Sequence, residues 1–88
     1  MPTLLELVRS LDELEDEDVI FVKPEWTPQA ESKVFQLAEG GRVPAEATEA
    51  GFKYFLEAPI AREVLESMEA ASPEQKCDRL IYYATYDA

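Results

Sequence analysis

The chain carries a single cysteine, Cys77, and no histidine in 88 residues. No disulfide can therefore close within it, and no histidine can ligate a metal. Short domains commonly lean on such staples, because at this size folding buries only about 60–65% of the surface the unfolded chain exposes. This chain has to fold by packing alone. Its apolar share of 47% and aromatic share of 10% suffice for a core and are those of a globular, not a disordered, chain. The length predicts one domain spanning 1–88 and excludes two.

Periodicity gives the elements. Thr3-Leu4-Leu5-Glu6 reads as a capping box, and Leu4, Leu7, Val8, Leu11 and Leu14 recur at helical spacing; a helix over 4–14 is expected. Val19-Ile20-Phe21-Val22 is β-branched and aromatic, and Pro24 follows it, which predicts a buried strand. Residues 23–32 hold two prolines and read as a loop. Lys33-Val34-Phe35-Gln36-Leu37, closed by Gly40-Gly41, reads as a second strand antiparallel to the first. Pro44, at a first helical position, and Gly51, at a C′ position, bracket a short helix. Residues 52–57 read as a third strand showing Phe52, Tyr54 and Leu56 on one face; helix running toward Pro59 is the alternative. A helix from Pro59 with Ile60, Val64, Leu65 and Met68 on one face follows, with Arg62, Glu63, Glu66 and Glu69 pointing outward. Ser72-Pro73-Glu74-Gln75 is a second capping box opening a last helix, whose stripe is Cys77, Leu80, Ile81 and Ala84. The expected fold class is α+β: a small three-stranded, mainly antiparallel sheet packed against an N-terminal helix and a C-terminal helical hairpin, with the helices on one face.

Charge narrows the function classes. Nineteen acidic and eight basic residues leave a net charge of −11. Such a chain repels nucleic acid and anionic membrane and attracts basic surfaces. The basic residues are scattered singly, so direct nucleic-acid binding is disfavoured. No apolar run approaches the roughly 20 residues that span a bilayer, and the opening Met-Pro-Thr-Leu-Leu-Glu lacks the basic start and apolar run of a secretion signal. With one thiol, the expected compartment is the cytoplasm.

Catalysis finds little support. Without histidine there is no imidazole base or histidine triad. Cys77 has Lys76 and Arg79 nearby, which could activate a thiol, but it lies on the apolar stripe of its helix and reads as core. No phosphate-binding glycine loop or dinucleotide fingerprint occurs. The acidic run lacks the alternating ligands and central glycine of a calcium loop. No catalytic residue, metal or cofactor is expected.

Two features remain. Asp12, Glu13, Glu15, Asp16, Glu17 and Asp18 crowd seven positions, interrupted only by Leu14, where a helix end disfavours negative charge. They read either as a patch steering a basic protein partner or as a solvated connector guarding the strand after it. Trp26, stiffened between Pro24 and Pro28, reads as a binding anchor or as a lid over the core, the lid being preferred. Tyr82 and Tyr86, four apart on the last helix, suit an interface such as a homodimer, although packing against the sheet is the preferred reading.

Lys53-Tyr54-Phe55-Leu56-Glu57 running into Ile60-Ala61-Arg62-Glu63-Val64-Leu65-Glu66, the ending Arg79-Leu80-Ile81-Tyr82-Tyr83-Ala84 and the early Trp26-Thr27-Pro28 together resemble a small uncharacterised bacterial protein family of about this length. The resemblance covers most of the chain. It implies a bacterial, cytoplasmic single domain and brings no catalytic or binding residue with it. Function is therefore expected from surfaces: a non-enzymatic acidic interaction module that neutralises or escorts a basic partner, by analogy of size and charge with immunity proteins and antitoxins. A nucleic-acid mimic inhibiting a DNA- or RNA-handling protein is the alternative, and a small enzyme of unknown chemistry stands third.

Overall fold

A computed structural model describes residues 2–86. Helix α1 (Leu4–Arg9) is followed by a 3₁₀ turn (Leu11–Glu13), strands β1 (Asp18–Val22) and β2 (Ser32–Gln36), helix α2 (Ala45–Glu49), strand β3 (Lys53–Glu57) and helices α3 (Ala58–Val64) and α4 (Pro73–Tyr86). The three strands form one antiparallel sheet in the order β2-β1-β3, with Ile20 opposite Val34 on one side and Leu56 on the other. The fold is the expected α+β arrangement, with α1 and the C-terminal helices α3 and α4 packed on the sheet.

The second capping box forms in full, and the first in half, because Glu6 reaches the Thr3 hydroxyl and not its N–H. The Glu6 N–H donates to Thr3 Oγ1 (3.2 Å), and the Thr3 hydroxyl donates to the Glu6 carboxylate (3.4 Å). The Gln75 N–H donates to Ser72 Oγ (3.2 Å), and the Ser72 N–H donates to Gln75 Oε1 (2.9 Å). Two further orphan donors of α1, the N–H groups of Leu4 and Leu5, bond to the carbonyls of Ala30 (3.0 Å) and Pro28 (2.9 Å). The loop between β1 and β2 is thereby tied to the start of α1.

The first helix is shorter than expected. It stops at Arg9, and residues 11–13 form the tighter turn instead of running on to Leu14. The Ser10 hydroxyl donates to the carbonyls of Glu6 (3.3 Å) and Leu7 (3.5 Å), competing with helix continuation. The break also leaves Arg9, not the carboxylates, in the last turn, where a cation suits the macrodipole. Helix α3 likewise ends at Val64 and not near Met68; continuing it would stack Glu63, Glu66 and Glu69 at its negative end. Pro44 stands one position earlier than expected, as the N-cap of α2, and Gly51 supplies the left-handed backbone (φ 87°) just after that helix.

The central strand β1 is buried on both faces. Ile20 and Val22 pack with Leu4, Val8, Leu11, Phe55, Leu56, Leu65, Cys77 and Leu80 beneath the helices. Val19 and Phe21 face the other way and pack with Ala47 and Phe52, flanked by Phe35 and Leu37. Helix α2 therefore covers the opposite side of the sheet, which corrects the expectation of helices on one face. A strand apolar at every position needs both of its faces covered.

Residues 53–57 are strand, but not with Phe52, Tyr54 and Leu56 on one face. The register with β1 shifts between Ile20 and Phe21, so that Leu56 opposes Ile20 while Tyr54 opposes Phe21. Phe55 is the extra residue of a bulge. Phe55 and Leu56 both join the helix-side core, while Phe52 packs in the second core and Tyr54 lies edge-on to Phe21 (5.7 Å between centroids).

Candidate functional site

The acidic segment has a fixed geometry. Arg62 on α3 donates from Nη1 to the carbonyls of Leu11 (3.2 Å) and Leu14 (3.0 Å) and from Nη2 to Asp16 (2.7 Å). The guanidinium thus supplies a donor to the Leu14 carbonyl and adds a second one to the Leu11 carbonyl, which also accepts from the Leu14 N–H (3.2 Å). Arg62 was expected to point outward; it points inward because those carbonyls and Asp16 gather in front of it. Asp18 has an internal role as well, accepting from the Glu15 N–H (2.8 Å) and from the Gln36 amide (3.3 Å). The six carboxylates are not equivalent. Asp16 and Asp18 hold the turn, whereas the side chains of Asp12, Glu13, Glu15 and Glu17 project from it, exposed and with like charge close together.

Trp26 is half-buried against the helix-side core. Its indole N–H donates to the Val22 carbonyl (3.1 Å), and its ring stands perpendicular to Phe55 at 5.0 Å. It closes the core as a lid, with the remainder of the ring lining a surface cleft.

Clefts open on the surface formed by the described residues. One, about 430 Å³, runs between α1, α3 and α4 and mixes signs: Arg9, Asp12, Arg62, Glu66 and Lys76 all border it. A second, about 320 Å³, lies between β3, Trp26 and the C-terminal half of α4, with Tyr54, Glu57, Ile60 and Tyr83 in its walls. A third, about 350 Å³, is bordered by Asp16, Glu17 and Glu57 around Val19 and Leu37. Glu57 lines both the second and the third. The cleft beside the acidic turn and the Trp26 cleft therefore share one lining residue, Glu57. Asp12 borders the first cleft instead.

Glu57 and Tyr83 were invisible as site residues in the sequence. Glu57 read as the last residue of a strand and Tyr83 as part of a helix; only the sheet order and the bulge bring them beside Trp26. Burial, and then the adjacent Glu57 carboxylate, raise the pKa of the Tyr54 phenol above its ordinary value.

Tyr82 and Tyr86 do not pack against the sheet as preferred. They are 54% and 66% exposed and lie against each other at 4.8 Å on the outer side of α4, with the Arg79 guanidinium 6.0 Å from the Tyr82 ring. The stripe Cys77–Leu80 takes the inward face, which turns these two rings out.

Cys77 is fully buried in the core. Burial first, then the charges of Asp78 and Glu74, push its thiol up to about 11. The neighbouring Lys76 and Arg79 do not offset this, so the thiol is protonated and a poor nucleophile at neutral pH. Among the described residues no three metal-ligating side chains converge, and no helix is long and apolar enough to cross a membrane. No protein-family model, curated protein or solved structure matches the chain.

Proposed function

We propose that the chain is a non-enzymatic interaction module for a basic protein partner. The observation that carries this reading is the braced acidic turn. Arg62 and Asp18 fix its backbone, while Asp12, Glu13, Glu15 and Glu17 keep their carboxylates in solvent. Clustered like charges cost the fold some repulsion, and a basic surface would convert that cost into attraction. Because the turn is already ordered, binding spends little on ordering it. A net charge of −11 adds long-range steering toward a positive surface.

The test uses the intact chain. Proteins retained from a native lysate at low salt are identified by mass, purified, and their association with the chain timed across ionic strength. The expected partner is basic, its association slows as salt rises, and the quadruple change Asp12→Asn, Glu13→Gln, Glu15→Gln, Glu17→Gln slows it at low salt and flattens the salt dependence. Association that is independent of both salt and these four carboxylates overturns the reading.

A further inference from the structure

The outer edge of β2 is open where the N-terminal segment leaves it. The Lys23 N–H donates to the Glu31 carbonyl (3.0 Å), and the register places Phe21 opposite Lys33 and Val19 opposite Phe35. Antiparallel ladders bond at alternate residues, so Glu31, Lys33 and Phe35 turn their backbone groups toward β1. Ser32, Val34 and Gln36 turn theirs away. The Ser32 N–H accordingly donates outward, to the Pro2 carbonyl (2.9 Å), and the Leu4 N–H reaches the Ala30 carbonyl (3.0 Å). Residues 2–4 thus run antiparallel beside the start of β2, with Thr3 opposite Glu31. This edge already takes an extended chain along part of its length. Beyond Ser32, the outward N–H and C=O groups of Val34 and Gln36 have no backbone partner among the described residues. Such unpaired groups in a row are a template for a further strand.

Charge decides among the occupants. At one end of the open stretch the Gln36 amide donates to Asp18 (3.3 Å), and Gln36 borders the cleft of about 350 Å³ that Asp16 and Glu17 also line. At the other end Glu31 is already paired with Lys23 (3.1 Å). The Lys33 ammonium lies along its own strand, 5.3 Å from the centre of the Phe35 ring. A second copy would bring another net charge of −11 to the same edge, which like-charge repulsion disfavours. An acidic segment meets the same penalty. A basic segment is drawn to the carboxylates beside Gln36.

We infer that the Val34–Gln36 edge of β2 receives an extended segment of the basic partner as a further strand, with a cationic side chain of that segment reaching Asp16 and Glu17 beyond Gln36. The charge of this segment rests on the interaction reading above, and its extended form on the open ladder.

Amide resonances of the full chain read the edge directly. The chain is titrated with the blocked peptide acetyl-Arg-Val-Thr-Val-Arg-amide, which presents an arginine at the Gln36 end whichever way it runs. Saturable shifts are expected at the Val34 and Gln36 amides. The counterpart acetyl-Gln-Val-Thr-Val-Gln-amide should bind about tenfold more weakly at about 0.01 M salt, the gap closing toward about 1 M. N-methylation across the central Val-Thr-Val removes the peptide's own donors and should abolish the shifts at the edge. Val34→Pro removes an outward N–H and no bond to β1, so this variant should keep a cooperative thermal transition and lose the peptide. If it fails to fold, the N-methylated peptide decides alone. Shifts confined to residues 12–18 and indifferent to N-methylation overturn the edge and leave the interaction reading standing. Equal affinity for the two peptides at low salt, or no shift at millimolar peptide, also overturns the proposal. So do concentration-dependent shifts at Val34 and Gln36 without peptide, which would seat a second copy there. Conversely, arginine-selective shifts at the edge beside a partner association indifferent to salt and to the four carboxylates remove the steering and leave the edge.

Discussion

Replacing Arg62 separates two things its guanidinium does at once. It donates to the carbonyl of Leu14 and to that of Leu11, which the Leu14 N–H also reaches, and it pairs with Asp16, whose side chain is 81% exposed. Capping by a charged donor is the larger contribution, since an exposed ion pair is worth only about 0–1 kcal/mol. Arg62→Met, which keeps much of the stem, should therefore cost about 2 kcal/mol. Asp16→Asn should cost under about 1 kcal/mol. Urea unfolding of the two variants measures the difference, and equal losses would mean that the ion pair, not the capping, holds the turn.

Cys77 gives a residue-scale prediction in pH. Its folded pKa of about 11 lies above the ordinary value near 9. Between those values the unfolded chain has released the thiol proton while the folded chain keeps it, so stability falls as pH rises through this window. A shift of this size corresponds to a loss of about 2–3 kcal/mol once the window is crossed. Cys77→Ala removes that contribution, so its urea midpoint should decline less steeply than that of the wild type from pH 8 to 10. The raised Tyr54 phenol acts in the same direction in both proteins and cancels in the comparison. Parallel declines would show that the thiol does not titrate in this way.

At the scale of elements, local signals and tertiary ones part company. Ser72→Ala should cost about 1 kcal/mol, because the hydroxyl that receives the Gln75 N–H is lost. Gly51→Ala should cost about as much for a purely backbone reason: a side chain there meets nothing within 4 Å, but φ is +87°. Thermal unfolding of each checks both values. These devices were legible in the sequence because a cap or a C′ glycine is chemistry within four residues. The bulge at Phe55 was not, since alternation alone cannot tell one extra residue from a continuous strand. Nor was the place of α2. The apolar run Val19–Val22 announced two covered faces, but nothing local to Ala45–Glu49 says which side that helix takes. Arg62 and Glu57 escaped for the same reason: their roles depend on partners brought up by the fold, 46 residues away in the case of Asp16.

For the molecule as a whole, a net charge of −11 on 88 residues is self-repelling. Raising ionic strength from about 0.01 M to about 0.15 M contracts the screening length from about 30 Å to about 8 Å. The melting temperature should rise over that range. The variant neutral at Asp12, Glu13, Glu15 and Glu17 should begin higher and rise less, and a wild type insensitive to salt would show that the repulsion is negligible. The strand β1 has the opposite character, with both faces buried and both edges paired. Its amides have no route to solvent short of losing the sheet and both cores together, so deuterium should enter Ile20 and Val22 last. Exchange there would then time the opening of the entire domain. The strand in the middle would serve as the molecule's own clock, running only while nothing else in it holds.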